Sequence, residues 1–112
     1  MSFEVILTDD FKREAKPLSK RFASFKADLD ALIVHLETEP ASGTSLGSGL
    51  YKLRLLITSK GKGKSGGARV INFVLVKHQK VFLLSVFDKS EKANLSLGEL
   101  ALLRKKVAAL QL

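Results

Sequence analysis

Residues 59–67 read Ser59-Lys60-Gly61-Lys62-Gly63-Lys64-Ser65-Gly66-Gly67, three lysines at alternate positions among four glycines. Glycine lets a backbone approach a ligand closely, and crowded ammonium groups raise a strong positive potential. Such a segment suits a phosphate backbone. Gly63-Lys64-Ser65 mimics the end of a nucleotide-binding P-loop, but that motif needs a glycine where Thr58 stands. It also needs a helix to follow, and Arg69-Val70-Ile71 begins a strand. The nucleotide reading is rejected. Lys52, Arg54 and Arg69 flank the segment and extend its charge. The plainer alternative is a hairpin tip whose lysines discourage edge-to-edge association. His35 and His78 adjoin none of these cations and read as bystanders.

The charge is unevenly distributed. Residues 1–50 hold six Lys and Arg against eight Asp and Glu, whereas residues 51–112 hold thirteen against three. No acid occurs between Glu39 and Asp88. A solvated face usually mixes signs, so the asymmetry points to a polyanionic partner. With 112 residues, the chain fits one compact domain, residues 1–112, with a core of its own. Hydrophobic content of 46% and charged content of 27% exclude a disordered or collagen-like chain. The absence of cysteine removes disulfides, thiolate zinc sites and a thiol nucleophile. No apolar run approaches a membrane span, and Glu4 stands where a signal peptide would be basic, so a cytoplasmic location without membrane attachment is expected.

The elements that position the cations follow from periodicity. Phe3-Glu4-Val5-Ile6-Leu7 reads as a short strand. Thr8 caps a helix whose apolar stripe is Phe11, Ala15, Leu18 and Phe22, with a kink or break expected near Lys16 because Pro17 follows. Ser24 caps a second helix carrying Phe25, Leu29, Leu32, Ile33 and Leu36, and residues 40–49 read as a connecting loop. Three strands follow: Leu50 to Thr58, Arg69 to Val76, and Val81 to Phe87. The first places Lys52 and Arg54 on the face opposite Tyr51, Leu53, Leu55 and Ile57. The other two are unbroken apolar runs, which predicts central strands covered on both faces. Ser96-Leu97-Gly98-Glu99 spells a capping box before a last helix through Leu100, Leu103, Val107 and Leu110. The order β-α-α-β-β-β-α is α+β, a helical hairpin and a C-terminal helix on a twisted, mostly antiparallel sheet.

Leu50-Tyr51-Lys52-Leu53-Arg54, the glycine–lysine segment running on through Ala68-Arg69-Val70-Ile71, and Phe82-Leu83-Leu84-Ser85-Val86-Phe87-Asp88-Lys89-Ser90-Glu91 resemble, in this order, the RelE/ParE superfamily. The likeness is to the RelE- and HigB-like toxins of type II toxin–antitoxin modules. It implies a ribosome-associated endoribonuclease that cleaves messenger RNA, contacts ribosomal RNA and is held inactive by a cognate antitoxin. By this resemblance Arg69 stabilises the transition-state phosphate and Lys52 and Arg54 grip flanking phosphates. Lys60, Lys62 and Lys64 hold the RNA or ribosomal RNA backbone.

RNA self-cleavage needs a deprotonated 2′-hydroxyl, a stabilised phosphate and a protonated 5′-oxygen. Asp88 and Glu91 are the carboxylates expected near the site, too few for a two-metal cage, so no metal and no cofactor are expected. Many relatives carry a tyrosine where this chain has Phe87, whose ring stacks on a base but cannot transfer a proton. Lys89 is then the candidate proton carrier, since crowded like charges lower a lysine pKa; alternatively it neutralises Asp88 or binds phosphate. Two other functions stay open: a ParE-like inhibitor of DNA gyrase, whose relatives usually lack the glycine–lysine loop, and a non-catalytic RNA- or ribosome-binding module.

Overall fold

The computed structural model describes residues 2–60 and 67–110. The alternating first segment forms strand β1 (Glu4–Leu7), and Thr8 ends it by accepting the Phe11 N–H at 3.3 Å, which opens helix α1 (Asp9–Arg21). The same hydroxyl donates to the Leu83 carbonyl at 2.8 Å, fixing the helix start to the sheet. Helix α1 continues through Pro17 without the break expected at Lys16. Pro17 itself is exposed, while Phe11 and Leu18 of the same helix are buried. Helix α2 (Phe25–Thr38) begins after Ser24, whose hydroxyl makes no cap bond to the helix.

The sheet has five strands, not four. Residues 44–47, expected in a loop, form strand β2 (Thr44–Gly47) against β3 (Leu50–Leu55). The turn between them holds Ser48 at φ 55° and Gly49 at φ 82°, the two positive dihedrals of a tight hairpin turn. A side chain at Gly49 would meet the Phe73 ring at 2.8 Å, so glycine is required there. Strand β3 stops at Leu55, short of Thr58, which starts a 3-10 turn (Thr58–Lys60). Strands β4 (Ala68–Leu75) and β5 (Lys80–Asp88) complete the order β1-β5-β4-β3-β2, with β1 parallel to β5 and the other pairs antiparallel. The central position expected for β4 and β5 is therefore correct. Helix α3 (Leu97–Leu110) starts at the expected capping box: Glu99 accepts the Ser96 N–H at 2.8 Å and Ser96 accepts the Glu99 N–H at 3.1 Å.

Two cores sandwich the sheet. Phe11, Leu18, Phe25, Leu29 and Leu36 of α1 and α2 pack on Leu53, Val70, Val74, Val81 and Leu83. On the other face Leu103 and Val107 of α3 pack on Leu50, Ile71, Phe73, Leu84 and Phe87. Lys106 also reaches Asp10, and with Arg13 beside it holds that carboxyl below its ordinary pKa. Among the described residues no helix is long and apolar enough to cross a membrane.

One core residue is out of place chemically. Asn72 is 0% exposed between Val70 and Val74, and neither its amide nitrogen nor its oxygen reaches a hydrogen-bond partner. An unmet buried polar group costs roughly 1–3 kcal/mol. Asn72→Leu keeps the branched shape and the number of heavy atoms and removes the unmet amide. It is expected to raise the unfolding free energy by about 1–2 kcal/mol in a urea titration, and an equal or lower value would refute that account.

Candidate functional site

The register of three strands builds one row of side chains. Arg54 of β3 lies directly opposite Arg69 of β4, and Arg69 lies directly opposite Phe87 of β5. One pair along, Thr44 of β2 faces Lys52, and Lys52 faces Ile71. Directly opposed residues project from the same face of a sheet. Lys52, Arg54 and Arg69 therefore share the α3 side, at the end that α3 leaves open. With Thr44 and Leu53 they line a groove of about 230 Å³.

Like charges directly opposed across strands repel. Burial first, and the Arg54 guanidinium second, pull the Arg69 pKa below its ordinary value. Arginine nonetheless stays protonated. Among the described residues no carboxylate lies within ion-pair distance of Arg54 or Arg69. Lys52 is oriented by a neutral group, donating to Asn94 Oδ1 at 2.7 Å. Among the described residues the groove thus holds three cations and no anion, an arrangement completed by an anionic ligand.

Phe87 reaches this face because of a bulge. The β4–β5 register runs Ile71 with Ser85 but Asn72 with Leu83, leaving Leu84 as an extra residue. Before it Val81 and Leu83 face α1 and α2; beyond it the phase is reversed, so Val86 faces them and Phe87 turns to the Arg69 side. There Phe87 is only 9% exposed, and the Lys92 ammonium stands 5.0 Å over its ring. The ring is packed and capped by a cation, not laid open as a stacking platform. Lys89 follows β5 half-buried, and its N–H donates to the Gly67 carbonyl at 3.1 Å, just above the Arg69–Phe87 pair.

Asp88 and Glu91, expected beside the cations, belong to the other side. Asp88 is 1% exposed; its carboxylate takes the Ser90 N–H at 2.9 Å and Arg21 of α1 at 3.2 Å, and Arg21 also pairs with Glu91 at 3.0 Å. His35 is exposed on α2, bonded to Ser42 at 2.9 Å, and His78 sits in the turn before β5. Neither borders the groove. Tyr51 packs on the α1–α2 core, away from the cations. Lys60 ends the 3-10 turn after β3; Lys62 and Lys64 lie outside the described residues. Thr44, Asn94 and Lys92 were not singled out in the sequence. Gly47-Ser48-Gly49 before an apolar run is the hairpin signal that points to Thr44, whereas nothing local marks Asn94 or Lys92.

Three helices on a five-stranded, mostly antiparallel sheet, with a cationic groove at one end of one face, define a small basic α+β protein. Residues 4–112 match the family model of the RelE toxin of the RelE/RelB toxin–antitoxin system, and the chain belongs to that family. Its fold is similar to that of an Escherichia coli RelE arginine mutant in the free state: 18% identity, TM-score 0.58, 82% of this chain and 88% of that one. It is also similar to the toxin of the RelBE2 toxin–antitoxin complex from Mycobacterium tuberculosis: 17% identity, TM-score 0.57, 79% of this chain and 92% of that one.

Proposed function

We propose that this toxin is a ribosome-dependent, metal-independent endoribonuclease that cleaves messenger RNA, with residues 1–112 acting as one domain. The observation that carries the reading is the row Lys52, Arg54 and Arg69, three cations on one face with no acid among them. In-line attack by a ribose 2′-hydroxyl builds negative charge on the phosphate, and preorganised cations stabilise it most where water is partly excluded. Arg69, the more buried arginine, takes the reacting phosphate; its planar fork matches two phosphate oxygens. Exposed Arg54 and half-buried Lys52 grip the neighbouring phosphates, and Lys60, Lys62 and Lys64 extend the grip to RNA or ribosomal RNA. Among the described residues the groove is lined by no carboxylate, histidine or tyrosine. Lys89, above the Arg69–Phe87 pair, is the proton carrier of this scheme.

A cognate antitoxin holds the toxin inactive, as the family and the toxin–antitoxin complex among its structural neighbours support. The surface between α1 and α2 suits such a partner. Leu7, Ala15, Phe25 and Leu29 floor a groove of about 330 Å³ rimmed by Lys12, Lys16 and Lys26, complementary to an acidic amphipathic segment.

Buried Phe87, with no hydroxyl to offer, favours a second reading, a toxin that binds the ribosome without cutting. Mapping messenger 5′ ends after inducing wild type and Arg69→Ala separates the two. New 5′ ends that vanish with Arg69→Ala support the nuclease. Arrested translation with intact messenger supports the binder, and intact messenger with DNA damage supports a gyrase inhibitor.

A further inference from the structure

Lys52 stands between two hollows on one face of the sheet. With Arg54 and Arg69 it lines the cationic groove, and it also lines a smaller cavity of about 70 Å³ walled by Leu46, Ile71, Leu95 and Leu100. A lysine has a flexible four-carbon stem, and an unrestrained one gives up that freedom when it meets a ligand. Here the stem is restrained: the Lys52 ammonium donates to Asn94 Oδ1 at 2.7 Å, across 42 residues of sequence. An ammonium has three N–H donors, so one bond to the amide oxygen leaves the others for a ligand. The acceptor is also neutral. It fixes the position of the ammonium without cancelling its charge, whereas a carboxylate at the same place would do both.

Asn94 is itself held in place. It is exposed and belongs to neither core, in the segment that joins β5 to α3. Glu99, in the first turn of α3, clamps that segment on both sides of it: Oε2 takes the Lys92 ammonium at 2.6 Å and Oε1 takes the Ser96 N–H at 2.8 Å. Lys92 and Ser96 lie two residues before and two residues after Asn94. The Lys92 hydrogen bond first, and the Ser96 N–H second, hold the Glu99 carboxyl below its ordinary pKa, so the clamp stays charged. The Lys92 N–H also donates to the Asp88 carbonyl at 3.2 Å, and Leu95 packs on the α3-side core. We propose that Asn94 is a positioning residue for the groove: its amide oxygen holds the Lys52 ammonium in place with the charge uncompensated, and affinity for single-stranded RNA depends on both effects. The proposal rests on the reading of the groove as an RNA grip.

The test is equilibrium binding of a single-stranded RNA oligonucleotide, without ribosomes and over a range of salt concentrations, to wild type, Asn94→Ala, Asn94→Asp, Lys52→Ala and Lys52→Ala/Asn94→Ala. Asn94→Ala is expected to weaken binding by roughly threefold to tenfold, the cost of ordering one long side chain, with the salt slope of wild type. In the Lys52→Ala background the same change should have no effect, the non-additivity of residues that act through one another. Asn94→Asp keeps the acceptor but pairs the charge. It should weaken binding and make the slope of log affinity against log salt shallower by about 0.7, the share of one phosphate contact. Unchanged binding by Asn94→Ala, equal losses with and without Lys52, or a wild-type slope in Asn94→Asp overturns the proposal. Lys52→Ala/Arg54→Ala/Arg69→Ala separates the two levels. If it binds as tightly as wild type, the groove is not the RNA grip and the role of Asn94 falls with it; if it binds weakly, any of the contrary results above strikes the role of Asn94 alone.

Discussion

Arg69→Ala is expected to lower the rate of messenger cleavage by roughly 100- to 1,000-fold, the scale of losing one preorganised charge at a developing oxyanion. The fold should survive. Arg69 sits directly opposite Arg54 without a carboxylate to separate them, so truncation removes a repulsive cross-strand pair. Its unfolding midpoint should be unchanged or higher, and this pairing of a lost activity with a kept or raised stability distinguishes a functional cation from a structural one. Arg69→Lys keeps the charge and loses the planar fork, so it should fall between wild type and alanine. A variant that loses activity and stability together would mean that Arg69 serves the sheet.

The opposite pattern is expected for Phe11→Ala. Phe11 is 0% exposed, the innermost side chain of α1, and it lies in the core that seats both helices on β5 and β4. Removing a buried phenyl ring costs roughly 3–5 kcal/mol, against a total of about 5–15 kcal/mol for a protein of this kind. The groove lies on the far side of the sheet, so the folded fraction should bind RNA with wild-type affinity. Toxicity on induction should nonetheless fall, through lost protein rather than lost chemistry. Urea unfolding and soluble yield, read beside RNA affinity, check this; a Phe11→Ala protein as stable as wild type would contradict the assigned core.

What was legible in the sequence follows from where its information is local. Thr8 and the Ser96–Glu99 box are helix starts written in a few residues, and both form as read. The alternation in Leu50-Tyr51-Lys52-Leu53-Arg54 places Lys52 and Arg54 together, and the pairing with β4 adds Arg69 to the same face. Strand β2 was missed because Thr44-Ser45-Leu46-Gly47 carries one apolar residue and takes its extended form from β3. The break considered near Pro17 does not form, because the burial of Phe11 and Leu18 in the same helix offsets the proline's penalty. The phase of β5 was beyond a strict two-residue alternation: one extra residue at Leu84 turns Phe87 to the side of Arg69. Asp88 and Glu91 were assigned to the cations by nearness in sequence, whereas Arg21, 67 residues from Asp88, claims them.

The claim on which the account depends is that Lys52, Arg54 and Arg69 act together on one polynucleotide. Its most direct test is the salt dependence of single-stranded RNA binding by wild type and by Lys52→Ala/Arg54→Ala/Arg69→Ala. Each phosphate contact contributes about 0.7 to the slope of log affinity against log salt, so the account predicts a wild-type slope of roughly −3 to −4 that is shallower by about 2 in the variant. Identical slopes, or a wild-type affinity indifferent to salt, would contradict it.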